Sequence, residues 1–252
     1  MISLWPAMDA HMTSNTYILQ TSSPVLSFFD LPLKIRDDIY HKVLVVPHGI
    51  YFFQVYDDAV KTVIPERPGR WLASLYTNRK MREEASVVFY GRNRFVFMDT
   101  MGCQTKLLQS FLHLVGPVNA ILMSQICISF PSMENVKDGP AEYAISEDDA
   151  DSLKLLRQFT NLTTLETLLY SFNPICRTEA NQDAHHSQFV QGACSLVDTQ
   201  LRIAIPTLRK IVIVFHEMIP KNEMVDLMHR FRWIIWRTDK NGMVIRRNEG
   251  EL

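Results

Sequence analysis

The chain has 252 residues, of which 47% are hydrophobic and 21% charged, and its formal net charge is -1. This composition is typical of a folded globular protein and argues against a disordered chain. The near-zero charge gives no overall field that would attract nucleic acid or an acidic membrane. No apolar run reaches the roughly 18 residues that span a bilayer, so we expect no membrane segment.

The N-terminus and the cysteines predict an intracellular protein, cytoplasmic or nuclear. The first residues lack the basic start and the continuous apolar stretch of a secretory signal. The four cysteines are widely scattered and form no CxxC pair, so neither a zinc site nor a redox motif is expected. We expect them to be reduced and structural, as in other proteins of a reducing compartment.

The first ordered element is predicted to be a helix that follows a polar, aperiodic stretch. Residues 1–24 show no hydrophobic periodicity, and we interpret them as a flexible leader that the fold does not need. Asp30 is placed to cap the helix and Pro47 to end it. The helix carries apolar residues whose spacing predicts one common face: Leu33, Ile35, Ile39, Val43 and Val46, with Tyr40 and Leu44 beside them. These residues are more than one buried face can hold, so we expect some of them to be exposed.

The next segment is predicted to form a hairpin, a second helix and a short strand. Residues 51–56 and 60–64 are rich in strand-forming residues and flank an Asp-Asp turn signal. Residues 71–91 have helical periodicity and end on a glycine, which is a natural C-terminal stop. Residues 94–98 follow as a short strand.

The C-terminal part alternates predicted helices and strands. The predicted helix–strand pairs are 104–114 with 121–130, 147–159 with 165–170, and 187–203 with 210–215. Three such units predict a small parallel sheet covered by helices, with right-handed crossovers. The leucine spacing before the strands fits an irregular leucine-rich repeat and equally a compact layer without true repeats. Residues 221–236 are predicted as a last helix, followed by an Asn-Gly turn at 241–242.

The sequence holds no recognisable catalytic constellation. Phosphate-cradling glycine loops, GxSxG, GxGxxG and HExxH are all absent. His216-Glu217 and His185-His186 are interpreted as exposed strand and helix ends, since no further ligands or partners lie at suitable spacing. We therefore expect a protein that is not an enzyme and that uses no cofactor and no metal.

A basic, aromatic segment near the C-terminus could suggest single-stranded nucleic acid as a partner. It combines arginines with two tryptophans, and such residues can join stacking to phosphate contacts: Arg230, Arg232, Arg237, Trp233 and Trp236. Aromatic residues at helical spacing more often belong to a core with arginines on the wet side. We therefore do not expect nucleic acid as a partner.

Two blocks of the sequence carry a family resemblance. Residues 31–44 read LPLKIRDDIYHKVL and resemble the first helix of an F-box. Residues 75–97 read LYTNRKMREEASVVFYGRNRFVF and resemble the second half of a large group of fungal F-box-like proteins. The positions that match the pattern of this group are Leu31, Pro32, Ile35, Arg36, Ile39, Tyr40, Arg79, Arg82, Glu83, Glu84, Ala85, Phe89, Tyr90, Asn93 and Phe95.

The resemblance implies a protein-interaction module, an F-box-like substrate adaptor of a cullin-RING ubiquitin ligase. A Skp-type linker subunit would be one partner, and the C-terminal sheet would hold a client protein. The residues that would face the linker are Leu31, Pro32, Ile35, Ile39 and Leu44. Two features depart from the group: Lys34 and Lys80 stand where an acidic residue is common, and a hairpin replaces the middle of a three-helix F-box. The alternative is a free-standing scaffold or host-directed interaction protein without a ligase role.

The expected fold is α+β. Residues 25–100 would form an F-box-like helix–hairpin–helix unit. Residues 101–252 would form helix–strand units with a small, mostly parallel, leucine-rich-repeat-like sheet, packed as one body with the preceding unit.

Overall fold

The structure, a computed structural model, describes residues 27–54, 60–64, 71–98, 103–135, 143–176, 184–216, 218–238 and 244–245. Its α-helices are α1 (Leu33–Leu44), α2 (Arg79–Arg92), α3 (Gln104–Ala120), α4 (Glu147–Leu156), α5 (Ala184–Ala204) and α6 (Asn222–Arg230). Its strands are β1 (Ile50–Gln54), β2 (Val60–Val63), β3 (Phe95–Met98), β4 (Gln125–Ser129), β5 (Met133–Asn135), β6 (Tyr143–Ile145), β7 (Thr164–Tyr170), β8 (Lys210–His216), β9 (Ile234–Thr238) and β10 (Val244–Ile245). Short 3-10 helices occupy Phe28–Asp30, Trp71–Tyr76 and Pro174–Cys176.

One eight-stranded sheet runs through the chain, in the order β10-β9-β8-β7-β4-β3-β1-β2. Its six inner strands are parallel and follow one another in chain order, whereas β2 and β10 pair antiparallel at the two edges. The strands β5 and β6 form a separate antiparallel pair. The α+β class and the mostly parallel sheet are thus confirmed, and β1 with β2 is the predicted hairpin.

The six α-helices of the described residues all bury side chains in a single core on one face of this sheet. That core joins helix residues such as Leu44, Phe111 and Met228 to alternate residues of the strands, such as Phe95 and Ile126. Successive right-handed crossovers between neighbouring parallel strands carry every connecting helix to the same side, which explains this arrangement. The intervening strand residues form a second cluster to which no helix residue of the described chain contributes.

The N-terminal and C-terminal regions share this sheet and core. Strands β1 to β3 come from the region expected to be F-box-like, and β3 pairs directly with β4 of the region that follows. Residues 1–24 and the Asn-Gly pair at 241–242 lie outside the described residues. Within the described part of the chain, no helix has the length and apolar character that crossing a bilayer requires.

Three local predictions about helix ends were wrong. The second helix, predicted to begin at residue 71, begins at Arg79 after the 3-10 helix Trp71–Tyr76. Asp30 does not cap α1: it closes a 3-10 turn capped by Ser27, and the extended residues Leu31 and Pro32 separate it from the helix. Gly91 does not stop α2, which continues to Arg92 and ends at Asn93.

The predicted last helix is a shorter helix followed by a strand. The helix α6 ends at Arg230, and the chain turns through Arg232, whose φ is 61°. Ile234 and Ile235 then pair with β8 as part of β9. These β-branched residues complete the sheet rather than a helical face.

Candidate protein-interaction surface

An ion pair between α1 and α2 fixes the position of the first helix. Arg36 donates from Nε to Glu84 Oε2 at 2.8 Å and from Nη2 to Glu84 Oε1 at 2.7 Å. The Arg36 Nη1 group also donates to the Leu31 carbonyl at 2.5 Å, and the Tyr40 hydroxyl donates to Glu84 at 3.3 Å. Arg36 is only 7% exposed. This bidentate, water-shielded pair ties the Leu-Pro segment, α1 and α2 into one unit.

The ion pair sets the protonation of its neighbours. The hydrogen bonds from Arg36 hold the pKa of Glu84 below its ordinary value, although partial burial acts in the opposite direction. Burial, together with the nearby Glu84 carboxylate, raises the pKa of Tyr40 to about 12. Glu84 is therefore ionised and Tyr40 neutral at physiological pH, which is the state in which the hydroxyl donates to the carboxylate.

A buried asparagine joins the far ends of the same two helices. Asn93 Oδ1 accepts from the Val46 backbone N–H at 2.8 Å, and its Nδ2 donates to the carbonyls of Leu44 and Phe89, each at 2.9 Å. Asn93 is 1% exposed. It therefore satisfies three backbone groups where α1 and α2 both end.

The residues that carry the family resemblance are divided between the interior and the surface. Arg36, Tyr40, Glu84 and Asn93 make the contacts described above, and Ala85, Phe89 and Phe95 are buried in the main core. Sequence analysis gave these polar residues no role, because Arg36 and Glu84 are 48 residues apart and share no local pattern. Arg36, Tyr40, Glu84 and Asn93 hold α1 against α2.

The helix α1 exposes several aliphatic residues beside its charged ones. Leu33 is 61% exposed, and Ile35, Ile39 and Val43 are 44%, 37% and 43% exposed. The last three are spaced by four residues, so they form one continuous row, here called the apolar stripe. Of the apolar residues predicted to share a face, Tyr40, Leu44 and Val46 are buried and the others are exposed. Arg36 is the unexpected member of the buried face.

The five predicted partner-binding residues do not share one surface. Ile35 and Ile39 lie in the apolar stripe, Pro32 is exposed and Leu31 is half-buried. Leu44 is 0% exposed, because it lies one turn after Tyr40 on the core-facing side. It supports the helix and cannot contact a partner.

A groove of ≈ 550 Å³ runs between α1 and α2 on the opposite flank of α1, here called the α1–α2 groove. Leu33 and Val87 provide its apolar walls, and Lys34, Asp37 and Glu83 provide charged groups. Val87 is 55% exposed and was missed in the sequence. The run of three apolar residues at 87–89 was the available signal, since one helix face cannot bury all three.

The two lysines that depart from the family pattern lie near this surface. Lys34 lines the α1–α2 groove. Lys80 places its Nζ 4.7 Å from the centroid of the Phe29 ring, and the Arg36 guanidinium lies 5.7 Å from the same ring. Phe29 therefore contacts two cations, which helps to hold the Leu-Pro segment against α2.

The other candidate residues from the sequence form no catalytic or metal-binding group in the described part of the chain. The His216 ring lies 5.1 Å from the Tyr170 ring, at the end of β8. Trp233 is buried and donates from Nε1 to Asp198 Oδ1 at 2.8 Å. Among the described residues, no group of three or more His, Cys, Asp or Glu side chains could hold a metal ion. The side chains of His185 and His186 lie outside the described part of the chain.

Comparisons of the chain with protein-family models, curated proteins and solved structures found no match. The geometry of the α1 surface, with the two sequence blocks that build it, is therefore what points to a function.

Proposed function

We propose that the protein is a non-enzymatic interaction module that docks a partner protein on the outward side of α1. The observation that carries the proposal is the exposure of four aliphatic residues on a helix that buries an arginine. A surface helix normally turns its aliphatic residues inward and its charges outward. The exposed aliphatic residues of α1 leave an apolar row for a partner to cover.

The free energy available from burying the exposed aliphatic side chains supports an interaction at this surface. Fully burying one aliphatic side chain is worth roughly 1.5–3 kcal/mol. The exposed fractions of Leu33 and the apolar stripe, from 37% to 61%, leave about 1 kcal/mol per residue for a partner to recover. Residues at the centre of such a patch typically contribute about 2 kcal/mol or more to binding. Ile39, midway along the stripe, is the expected centre.

The leading partner is a Skp-type linker subunit, with the protein as an F-box-like adaptor of a cullin-RING ubiquitin ligase. This identification depends on the resemblance of the Leu-Pro helix and of the R-x-x-R-E-E-A block. The pairing of Arg36 with Glu84 supports it, since one residue of each block is needed to build the helix pair. The remaining helix–strand layer, whose sequential parallel strands resemble a leucine-rich repeat, would hold the client.

The second candidate is a scaffold or host-directed protein that never contacts a ligase. The course of the chain after α1 favours it. The chain enters the hairpin β1–β2 and joins the sheet through β1 and β3, instead of forming the second helix of a three-helix F-box. The α1 surface would then dock a different protein.

A binding measurement with matched surface variants tests the proposal. Purified Skp-type linker should bind the wild-type chain in biolayer interferometry. The double variant Ile35→Asp with Ile39→Asp should weaken this binding more than a hundredfold, since it removes two central contacts and introduces unpaired charge. Both positions face solvent, so the circular dichroism spectrum should not change.

The control is the double variant Leu114→Asp with Val118→Asp. These residues of α3 are also aliphatic, exposed and four positions apart, and their replacement should leave binding unchanged. If the wild-type chain binds no linker, the ligase hypothesis fails. Crosslinking in native extract then tests the scaffold hypothesis. That hypothesis predicts a protein that is captured by the wild-type chain and the α3 control but not by the α1 variant.

A further inference from the structure

The helix α6 ends in a left-handed residue that is not glycine. The Trp233 N–H donates to the Met228 carbonyl at 3.2 Å, and the Arg232 N–H donates to the His229 carbonyl at 2.9 Å. This is the double hydrogen bond of a Schellman end, in which the left-handed position is usually glycine. Arg232, with φ 61°, is the only non-glycine residue with a positive φ among the described residues. A long side chain there is a strained choice.

Arg232 lines a concavity that has more positive than negative side chains. The concavity has a volume of ≈ 300 Å³ and is lined by Asp198, Arg202, Arg230, Phe231 and Arg232. Three arginines and one aspartate therefore line it. We call this concavity the arginine site.

Both oxygens of the Asp198 carboxylate already accept hydrogen bonds from the protein. Asp198 Oδ2 accepts from Arg202 Nε at 2.9 Å, and its Oδ1 accepts from Trp233 Nε1 at 2.8 Å. Within the described part of the chain, neither Arg230 nor Arg232 has a carboxylate partner. Among the described residues, these two arginines therefore have no ion pair that an added anion would have to displace.

Helix-end electrostatics explains only part of this arrangement. A cation in the last turn interacts favourably with the negative end of a helix, and Arg230 fills that role for α6. The same benefit does not require a second arginine at the left-handed position, where glycine would relieve the strain. Strain of this kind tends to persist where the residue serves a function.

We propose that the arginine site binds a phosphate monoester. The planar fork of an arginine matches two oxygens of a phosphate group, and two unpaired forks beside a fixed third can enclose one such group. Asp198 acts as a positioning residue, because it orients Arg202 and the Trp233 ring that supports the turn. The proposal is independent of the α1 surface.

Calorimetric titration with inorganic phosphate, at constant ionic strength maintained with chloride, tests the site in the full chain. Phosphate should bind the wild-type chain, and Arg232→Gly and Arg230→Gln should each weaken binding at least tenfold. In chloride, Arg232→Gly should melt roughly 2–4 °C higher than wild type, because the left-handed strain is relieved. A loss of binding in a more stable protein cannot be attributed to unfolding.

Arg209→Gln, at an exposed arginine outside the site, is the control and should bind phosphate as wild type does. A phosphoserine peptide and adenosine monophosphate carry the same monoester on a peptide and on a nucleoside, and the tighter ligand identifies its source. The proposal is overturned if wild type does not bind phosphate, or if Arg232→Gly binds it as well as Arg209→Gln.

Discussion

Replacing Asn93 with alanine should destabilise the protein strongly. The side chain makes three buried hydrogen bonds to backbone groups at the ends of α1 and α2. Each is worth about 1 kcal/mol net, and the Val46 N–H would be left buried without this acceptor, at a further cost of about 1 kcal/mol. We therefore expect a loss of roughly 3–4 kcal/mol from a free energy of unfolding that is typically about 5–15 kcal/mol.

Urea denaturation followed by tryptophan fluorescence measures this loss. The midpoint should fall while the denaturant slope stays constant, since unfolding exposes the same surface as before. Asn78→Ala is the matched control at the other end of α2. Asn78 is an exposed cap with one hydrogen bond, to the Met81 N–H at 2.9 Å, so its loss should cost only about 1 kcal/mol. If Asn93→Ala costs no more than Asn78→Ala, the buried hydrogen bonds do not hold the helix pair together.

Three further predictions concern Glu84, two glycines and the cysteines. Arg36 lowers the pKa of Glu84 in the folded protein, so the unfolded chain binds a proton at this carboxylate first as the pH falls. The free energy of unfolding should therefore decrease below about pH 5. Glu84→Gln should flatten that part of a plot of the urea midpoint against pH. Gly116 has φ 74°, Gly192 lies within α5, and neither has an atom within 4 Å of the position that a Cβ would take. Gly116→Ala should therefore destabilise the protein and Gly192→Ala should stabilise it, each by about 1 kcal/mol as measured by thermal unfolding. In a timed thiol titration of the native protein only Cys103 should react quickly, and a second fast thiol would contradict this. Burial raises the pKa of the other three thiols, to about 12 for Cys127 and Cys194 and about 11 for Cys176.

The hairpin and the helix–strand units could be predicted because their signals are local. Periodicity within about ten residues distinguishes a buried strand such as β8 from an amphipathic helix such as α5. The pairing of β1 with β3 could not be predicted in this way. It joins Ile50 to Phe95 across a helix, and nothing within either segment specifies the partner. The same limit hid β9, since Ile234 and Ile235 are strand residues only because β8 lies beside them.

The orientation of α1 could be predicted only in part. The excess of apolar residues predicts that some are exposed, but not which side of the helix contacts the core. A hydrophobicity pattern assigns the aliphatic residues to the core and the charged ones to solvent. The helix α1 departs from this pattern at Arg36, which is buried, and at the apolar stripe, which is exposed. Arg36 can be buried only because Glu84, 48 residues later, supplies a bidentate partner. Replacing a buried ion pair with well-packed aliphatic residues is often neutral or stabilising. Stability alone would therefore favour turning Ile35, Ile39 and Val43 inward. A helix that instead exposes these residues and pairs Arg36 with Glu84 of α2 has the arrangement that the proposed docking surface requires.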